Sequence, residues 1–149
     1  NATDNVFEQH LQCTDIIYST ATYSLAGRAV ENLTLTGTAN LNATGNGLAN
    51  TLISNSGNNT LDGGAGNDIL TGGLGADIFL FGAASGKDTI TDFSAAQNDM
   101  INVNAYTGGV ANAALVAQAG ANVVITLGGG NTITVNNASQ ADVLSHIVW

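Results

Sequence analysis

The chain has 149 residues, a length that suits one domain with a sizeable core. Two basic residues, Arg28 and Lys87, face eleven acidic ones, giving a net charge of −9 on a chain that is only 9% charged. That balance excludes a nucleic-acid-binding surface, which needs clustered Lys and Arg, and the 44% apolar content excludes intrinsic disorder. No apolar run approaches the roughly 20 residues of a membrane-spanning helix, so no membrane span is expected. The opening NATDNVFEQH lacks the basic-then-apolar pattern of a signal peptide, and it reads as the interior of a longer protein. Cys13 is the one cysteine and forms no intrachain disulfide.

Nineteen glycines, no proline and abundant asparagine point to a backbone geometry repeated many times. The repeat is visible in chain order. Leu33-Thr-Leu35-Thr-Gly37 and Leu41-Asn-Ala43-Thr-Gly45 are degenerate units with an eight-residue step. Then come GNGLANTLI (45–53), SNSGNNTLD (54–62), GGAGNDILT (63–71) and GGLGADIFL (72–80). The last two fit Gly-Gly-x-Gly-x-Asp-x-U-x, with U a large apolar residue. Leu52, Leu61, Leu70 and Phe79 recur with a period of nine. Each unit divides into six residues of turn and three of strand, with U pointing inward. Two units make one coil, so residues 18 apart stack at roughly the 4.8 Å strand spacing. Asp68 thereby shares an edge with Asn50, and Asp77 shares the other with Asn59.

These turns meet the needs of a hard cation. Calcium takes six to eight oxygen ligands, carboxylates and backbone carbonyls among them. Glycines at turn positions 1, 2 and 4 let carbonyls curl inward, while the aspartate at position 6 supplies charge. The expected ligands are the Asp68 and Asp77 carboxylates with the carbonyls of Gly64, Gly66, Gly73 and Gly75. Where Asn50 and Asn59 replace Asp, sites should be weaker or metal-free. For Asp62, just outside the motif, a turn in which the carboxylate bonds its own backbone competes with a ligand role. Asn40, Asn42, Asn55 and Asn58 read, with Asn50 and Asn59, as a structural ladder.

The run GGAGNDILTGGLGAD resembles the RTX family of hemolysin-type calcium-binding repeats. The resemblance implies an all-β, right-handed parallel β-roll, with two strands per coil, that folds on binding calcium. Residues 14–52 are similar to the degenerate repeats that precede such rolls in bacterial exoproteins. DTITDFSAAQNDMINV (88–103) is similar to the strand pair closing the roll in serralysin-type C-terminal domains. There, the resemblance implies, an acidic residue near the closing strand completes the last calcium site. Asp88, Asp92 and Asp99 are the candidates. Two intact repeats leave the ion count open, at roughly two to four.

Past the roll the expectation is an antiparallel β extension, with strands over 113–119, 122–127 and 131–136 and a Gly128-Gly129-Gly130 hairpin. Ser139 and Asp142 form a capping box that starts a short helical turn. The ending SHIVW resembles a type I secretion signal and equally suits a last strand tucked into the core. The expected organisation is degenerate coils over 1–44, the nonapeptide roll over 45–87 and a capping and secretion region over 88–149. His10 and His146 lie in no catalytic motif, and Cys13 has no activating neighbour, so no active site is expected. The resulting reading is a non-catalytic calcium-binding C-terminal module of a larger secreted bacterial protein, exported through type I secretion machinery and folding outside the cell. The alternative is a carbohydrate-binding module that takes polysaccharide; related modules accompany alginate epimerases, and Tyr18, Tyr23, Tyr106 and Trp149 are available for sugar stacking.

Overall fold

The computed structural model describes residues 5–6 and 14–149, with side chains from residue 14 onward, so His10 and Cys13 lie outside the described residues. Short strands follow one another at the repeat spacing. They are β1 (Asn5–Val6), β2 (Ile16–Ser19), β3 (Tyr23–Ser24), β4 (Asn32–Leu35), β5 (Asn42–Asn46) and β6 (Thr51–Ile53). Then come β7 (Thr60–Gly64), β8 (Ile69–Thr71), β9 (Ile78–Leu80), β10 (Lys87–Ile90) and β11 (Met100–Asn102). Successive strands alternate between two sheets, because each six-residue turn carries the chain across the thin core. The nine-stranded sheet runs β1-β2-β4-β6-β8-β10 before its final three strands, and the six-stranded sheet contains β11-β9-β7-β5-β3. Pairing from β2 through β11 is parallel in both sheets.

Register follows from the period of nine. In one sheet Ile17, Leu33, Leu52, Leu70 and Ile90 sit directly opposite one another along the stack. In the other, Ala43, Leu61, Phe79 and Ile101 do the same. All nine side chains are fully buried. Each large one removed from water contributes roughly 1.5–3 kcal/mol, and a slip of one residue would turn the whole file outward. Hydrophobic burial along these two files therefore fixes which turns stack on which.

Beyond β11 the coil pauses. Residues 103–130 contribute α1 (Asn104–Thr107), β12 (Val116–Ala119) and β13 (Asn122–Gly128) before β14 (Asn131–Val135) resumes the stack. β14 pairs parallel with β10, placing Val135 against Ile90, while β13 and β12 add antiparallel strands beside it. The antiparallel extension is thus present, but β14 also continues the solenoid, through a 45-residue step that sequence periodicity does not reveal. Two details differ from expectation. Residues 113–115 form a 3₁₀ turn, not strand, because the Asn112 side chain accepts the Ala114 N–H and caps it. The hairpin loop is Gly129-Gly130, since Gly128 still pairs with Asn131.

The chain closes with α2 (Gln140–His146) and β15 (Ile147–Val148). Ser139 accepts the Asp142 N–H, as the capping box requires. β15 then pairs parallel with β11, setting Ile147 against Ile101 and extending the six-stranded sheet. Among the described residues, no helix is long and apolar enough to cross a membrane.

Candidate metal centre

Turns on one edge carry the chain from the six-stranded sheet to the nine-stranded one, and turns on the other edge carry it back. The first edge stacks the turns that end at Asn50, Asp68 and Asp88; the second stacks those that end at Asn59, Asp77 and Asp99. Asp88 and Asp99 occupy the position-6 slot although they lie outside the nonapeptides, at steps of 20 and 22 residues from Asp68 and Asp77. Longer turns in the last coil, 81–88 and 92–99, absorb the extra residues.

Each position-6 aspartate folds over its own turn and accepts an N–H from the coil before it. The Asn50 N–H donates to Asp68 Oδ1 at 2.8 Å and the Asp68 N–H to Asp88 Oδ1 at 3.0 Å. Across the roll, the Asn59 N–H donates to Asp77 Oδ1 at 2.8 Å and the Asp77 N–H to Asp99 Oδ1 at 2.9 Å. Position-1 glycine makes the fold-over possible. A Cβ on Gly63 would run into the Asp68 carboxylate, and one on Gly72 would lie 2.6 Å from Asp77 Oδ2. Gly64, Gly66, Gly73 and Gly75 sit against backbone carbonyls of the preceding coil (Asn46, Leu48, Asn55 and Gly57), all with positive φ. Among the described residues, the carbonyl oxygens of Gly66, Gly73 and Gly75 receive no hydrogen bond outside regular strand pairing.

The second carboxylate oxygens are the feature that sequence could not display. Asp68 Oδ2, Asp77 Oδ2 and Asp88 Oδ2 are buried with no hydrogen-bond partner. An orphaned buried acceptor costs about 1–3 kcal/mol, and more when charged. The asparagines behave differently. Asn50 Nδ2 donates to the carbonyls of Val30 at 3.2 Å and Glu31 at 3.3 Å, while its Oδ1 accepts the Asn46 N–H. Asn59 Nδ2 donates to the Leu41 carbonyl at 3.1 Å, although its Oδ1 is unpartnered. An amide can close the ladder by donating backwards; a carboxylate has no proton to donate.

The remaining acidic candidates have other partners. Asp92 accepts the Gly72 and Gly73 N–H groups, one on each oxygen, at 2.9 and 2.8 Å. Asp99 uses its second oxygen on the Ser94 N–H at 2.9 Å. Asp62 accepts the N–H of Gly64, the self-bonded turn that is one of its two expected roles, yet it stands near enough to repel the charges of Asp68 and Asp88. Asn40 and Asn58 form the expected ladder, with the Asn58 N–H donating to Asn40 Oδ1 and the Ala76 N–H to Asn58 Oδ1. Ser85 and Gln97 carried no sequence signal. The buried Ser85 hydroxyl stands beside Asp88 and favours its ionised form without completing a well-formed hydrogen bond, and Gln97 Oε1 accepts the Gly75 N–H. His146 Nδ1 lies 2.9 Å from both Ser145 Oγ and the Asp142 carbonyl; its ring packs edge-on against Phe93 and favours the ionised form of Asp99.

Electrostatics agree with the orphaned oxygens. Burial pushes the Asp68 carboxyl up to about 7 and Asp77 up to about 6, against the lowering effect of the Asn50 and Asn59 N–H groups. Repulsion from Asp88 and Asp62 adds to the first, and from Asp99 and Asp92 to the second. Asp88 and Asp99 are raised for the same leading reason, burial. Among the described residues, no three His, Cys, Asp or Glu side chains converge on one point. The carboxylates are stacked along the roll instead, so a cation held here must draw its other ligands from turn carbonyls.

Residues 44–79 match the model of the RTX calcium-binding nonapeptide repeat, in four copies. They are calcium-binding repeats, and they fold as the parallel β-roll described above. By structure the chain is similar to the extracellular lipase LipA from Serratia marcescens, at 25% identity and a TM-score of 0.65. That likeness covers 80% of this chain and 19% of the lipase, so the chain spans a small part of the lipase's length. The AlgE6R3 subunit of the mannuronan C5-epimerase from Azotobacter vinelandii is similar at 26% identity and a TM-score of 0.49, covering 78% of this chain and 77% of that one. No curated protein matches the chain in sequence.

Proposed function

We propose that this chain is a non-catalytic calcium-binding module of a larger secreted bacterial protein, and that its roll forms when calcium binds. The observation that carries this reading is the set of buried, unpartnered carboxylate oxygens on Asp68, Asp77 and Asp88. On the first edge Asp68 and Asp88 hold the ion with the carbonyls of Gly64 and Gly66. On the second, Asp77 holds it with the carbonyls of Gly73 and Gly75, and Asp99 lines the same edge. Bound calcium supplies the positive charge that these desolvated groups lack. Asp92 serves by holding the Gly72–Gly73 turn in shape through its two N–H contacts. Asn50 closes its ladder without metal, and Asn59 contributes at most a neutral oxygen.

A chain with this balance is poorly stable until calcium arrives, since ligand that binds only the folded state stabilises it by mass action. Extracellular calcium modules bind with dissociation constants of roughly 10⁻⁴–10⁻³ M. Such a module stays unfolded where calcium is scarce and passes through type I secretion machinery as an open chain. It folds outside. Calorimetric titration of the whole chain tests the metal reading: saturable uptake of about two to four ions in that affinity range supports it. A flat trace up to about 10 mM calcium would retire it.

A further inference from the structure

Beside the last turn of the first calcium edge, the 103–130 insertion forms a cleft of about 230 Å³ lined by Tyr106, Thr107, Val110, Asn112, Leu115 and Leu127. We propose that this cleft binds one uncharged pyranose ring of a polysaccharide. Its volume falls below the roughly 300–1,000 Å³ of a drug-sized site, which limits the occupant to about one ring. No Asp, Glu, Lys, Arg or His lines it, on a chain whose formal charge is −9. Apolar side chains of Val110, Leu115 and Leu127 beside the Tyr106 ring match the C–H face of a sugar.

The polar side chains are already held in place. Tyr106 Oη accepts the Ala84 N–H at 3.1 Å, which leaves the phenolic hydrogen for a ligand. Asn112 Oδ1 accepts the Ala114 N–H at 3.2 Å, which leaves its amide hydrogens. Thr107 Oγ1 donates to the Val103 carbonyl at 3.4 Å, which leaves its lone pairs. Each group is anchored to backbone through one atom and presents its unused valence, two donors and one acceptor. Such preorganisation lowers the ordering cost of recognising hydroxyls. Ala84, which holds Tyr106, lies in the last turn of the first calcium edge at φ 68°. The cleft is therefore tied to the calcium-ordered part of the roll.

The test is two-dimensional ¹H–¹⁵N NMR of the full calcium-loaded chain, titrated separately with glucose, galactose, N-acetylglucosamine, cellohexaose and an oligogalacturonate. Binding of at least one neutral sugar should shift the amides of Tyr106, Thr107, Asn112 and Leu127, with a dissociation constant of roughly millimolar order. Val110 is 69% exposed, so Val110→Asp leaves the melting temperature unchanged while weakening binding at least tenfold. Tyr106→Phe keeps the ring and weakens binding several-fold. Four results overturn the proposal: no shifts with any neutral sugar, shifts elsewhere on the roll, binding of the acidic oligomer alone, or undiminished binding by Val110→Asp. Concentration-dependent shifts at the cleft without sugar would assign it to a second copy of the chain and also overturn it. A chain that folds in calcium yet ignores every sugar leaves the calcium reading intact.

Discussion

Replacing Asp68 with asparagine should change stability in opposite directions with and without calcium. Asp68 is 1% exposed, its Oδ2 has no partner, and its pKa is raised from 3.8 to about 7. Three units correspond to at most about 4 kcal/mol of penalty on the ionised, metal-free fold; relaxation around the buried charge reduces this to about 2 kcal/mol. Asp68→Asn removes that penalty and keeps the acceptor for the Asn50 N–H. In a calcium-free buffer at pH 7.5 the variant's folded-to-unfolded ratio should therefore rise about 30-fold. Calcium reverses the order. A site with a dissociation constant near 10⁻⁴ M contributes about 2.7 kcal/mol at 10 mM calcium, and the variant forfeits it. Calcium titrations of both proteins followed by far-UV circular dichroism should cross, the variant more folded at the start and less folded at the end. A variant that is less folded than the parent at every calcium concentration refutes the reasoning.

Asp88→Asn should behave like Asp68→Asn, because both carboxylates share an edge and an orphaned oxygen. Asp92→Asn should instead destabilise the calcium-loaded and calcium-free states alike by about 1–2 kcal/mol, since it sets an amide against a backbone N–H; urea melts in both conditions separate the two patterns. Acidity adds another test. The folded-state pKa values of Asp68 and Asp77 lie above the ordinary 3.8, so between pH 4 and 7 the metal-free fold binds more protons than the unfolded chain. Its stability therefore falls as pH rises across that window. Calcium affinity moves oppositely, because Asp68 is only about 1% ionised at pH 5; thermal melts in metal-stripped and calcium-containing buffers at pH 5 and 8 should show the calcium-induced gain nearly vanish at the lower pH. Among glycines, Gly66→Ala places a Cβ against the Leu48 carbonyl at φ +135° and should cost about 2 kcal/mol or more in either state, whereas Gly82→Ala meets open space and should be near neutral.

Much of the roll was legible because one rule repeats. Leu52, Leu61, Leu70 and Phe79 share a period of nine, and that period fixes strand, register and edge together. Where the period lapses, the legibility ends. The steps from Asp68 to Asp88 and from Asp77 to Asp99 are 20 and 22 residues, so spacing alone could not separate them from Asp92. Only the ladder of N–H groups shows that Asp88 and Asp99 take the position-6 slots while Asp92 braces a glycine turn. The return of β14 to the stack was hidden for a related reason. Its alternation of Ile133 and Val135 suits an antiparallel hairpin with β13 and a parallel pair with β10 equally well, and the structure uses both. At position 6 the substitution of Asn by Asp along the roll was readable as a change of charge. Its physical content, an amide that donates backwards against a carboxylate left with an unmet oxygen, depends on how the neighbouring coil stacks.

The most direct test of the central claim is far-UV circular dichroism of the whole chain, first in EGTA and then in millimolar calcium at neutral pH. The account predicts a largely unfolded spectrum in EGTA that converts to β structure as calcium is added. An equally folded and equally heat-stable chain in both solutions would contradict it.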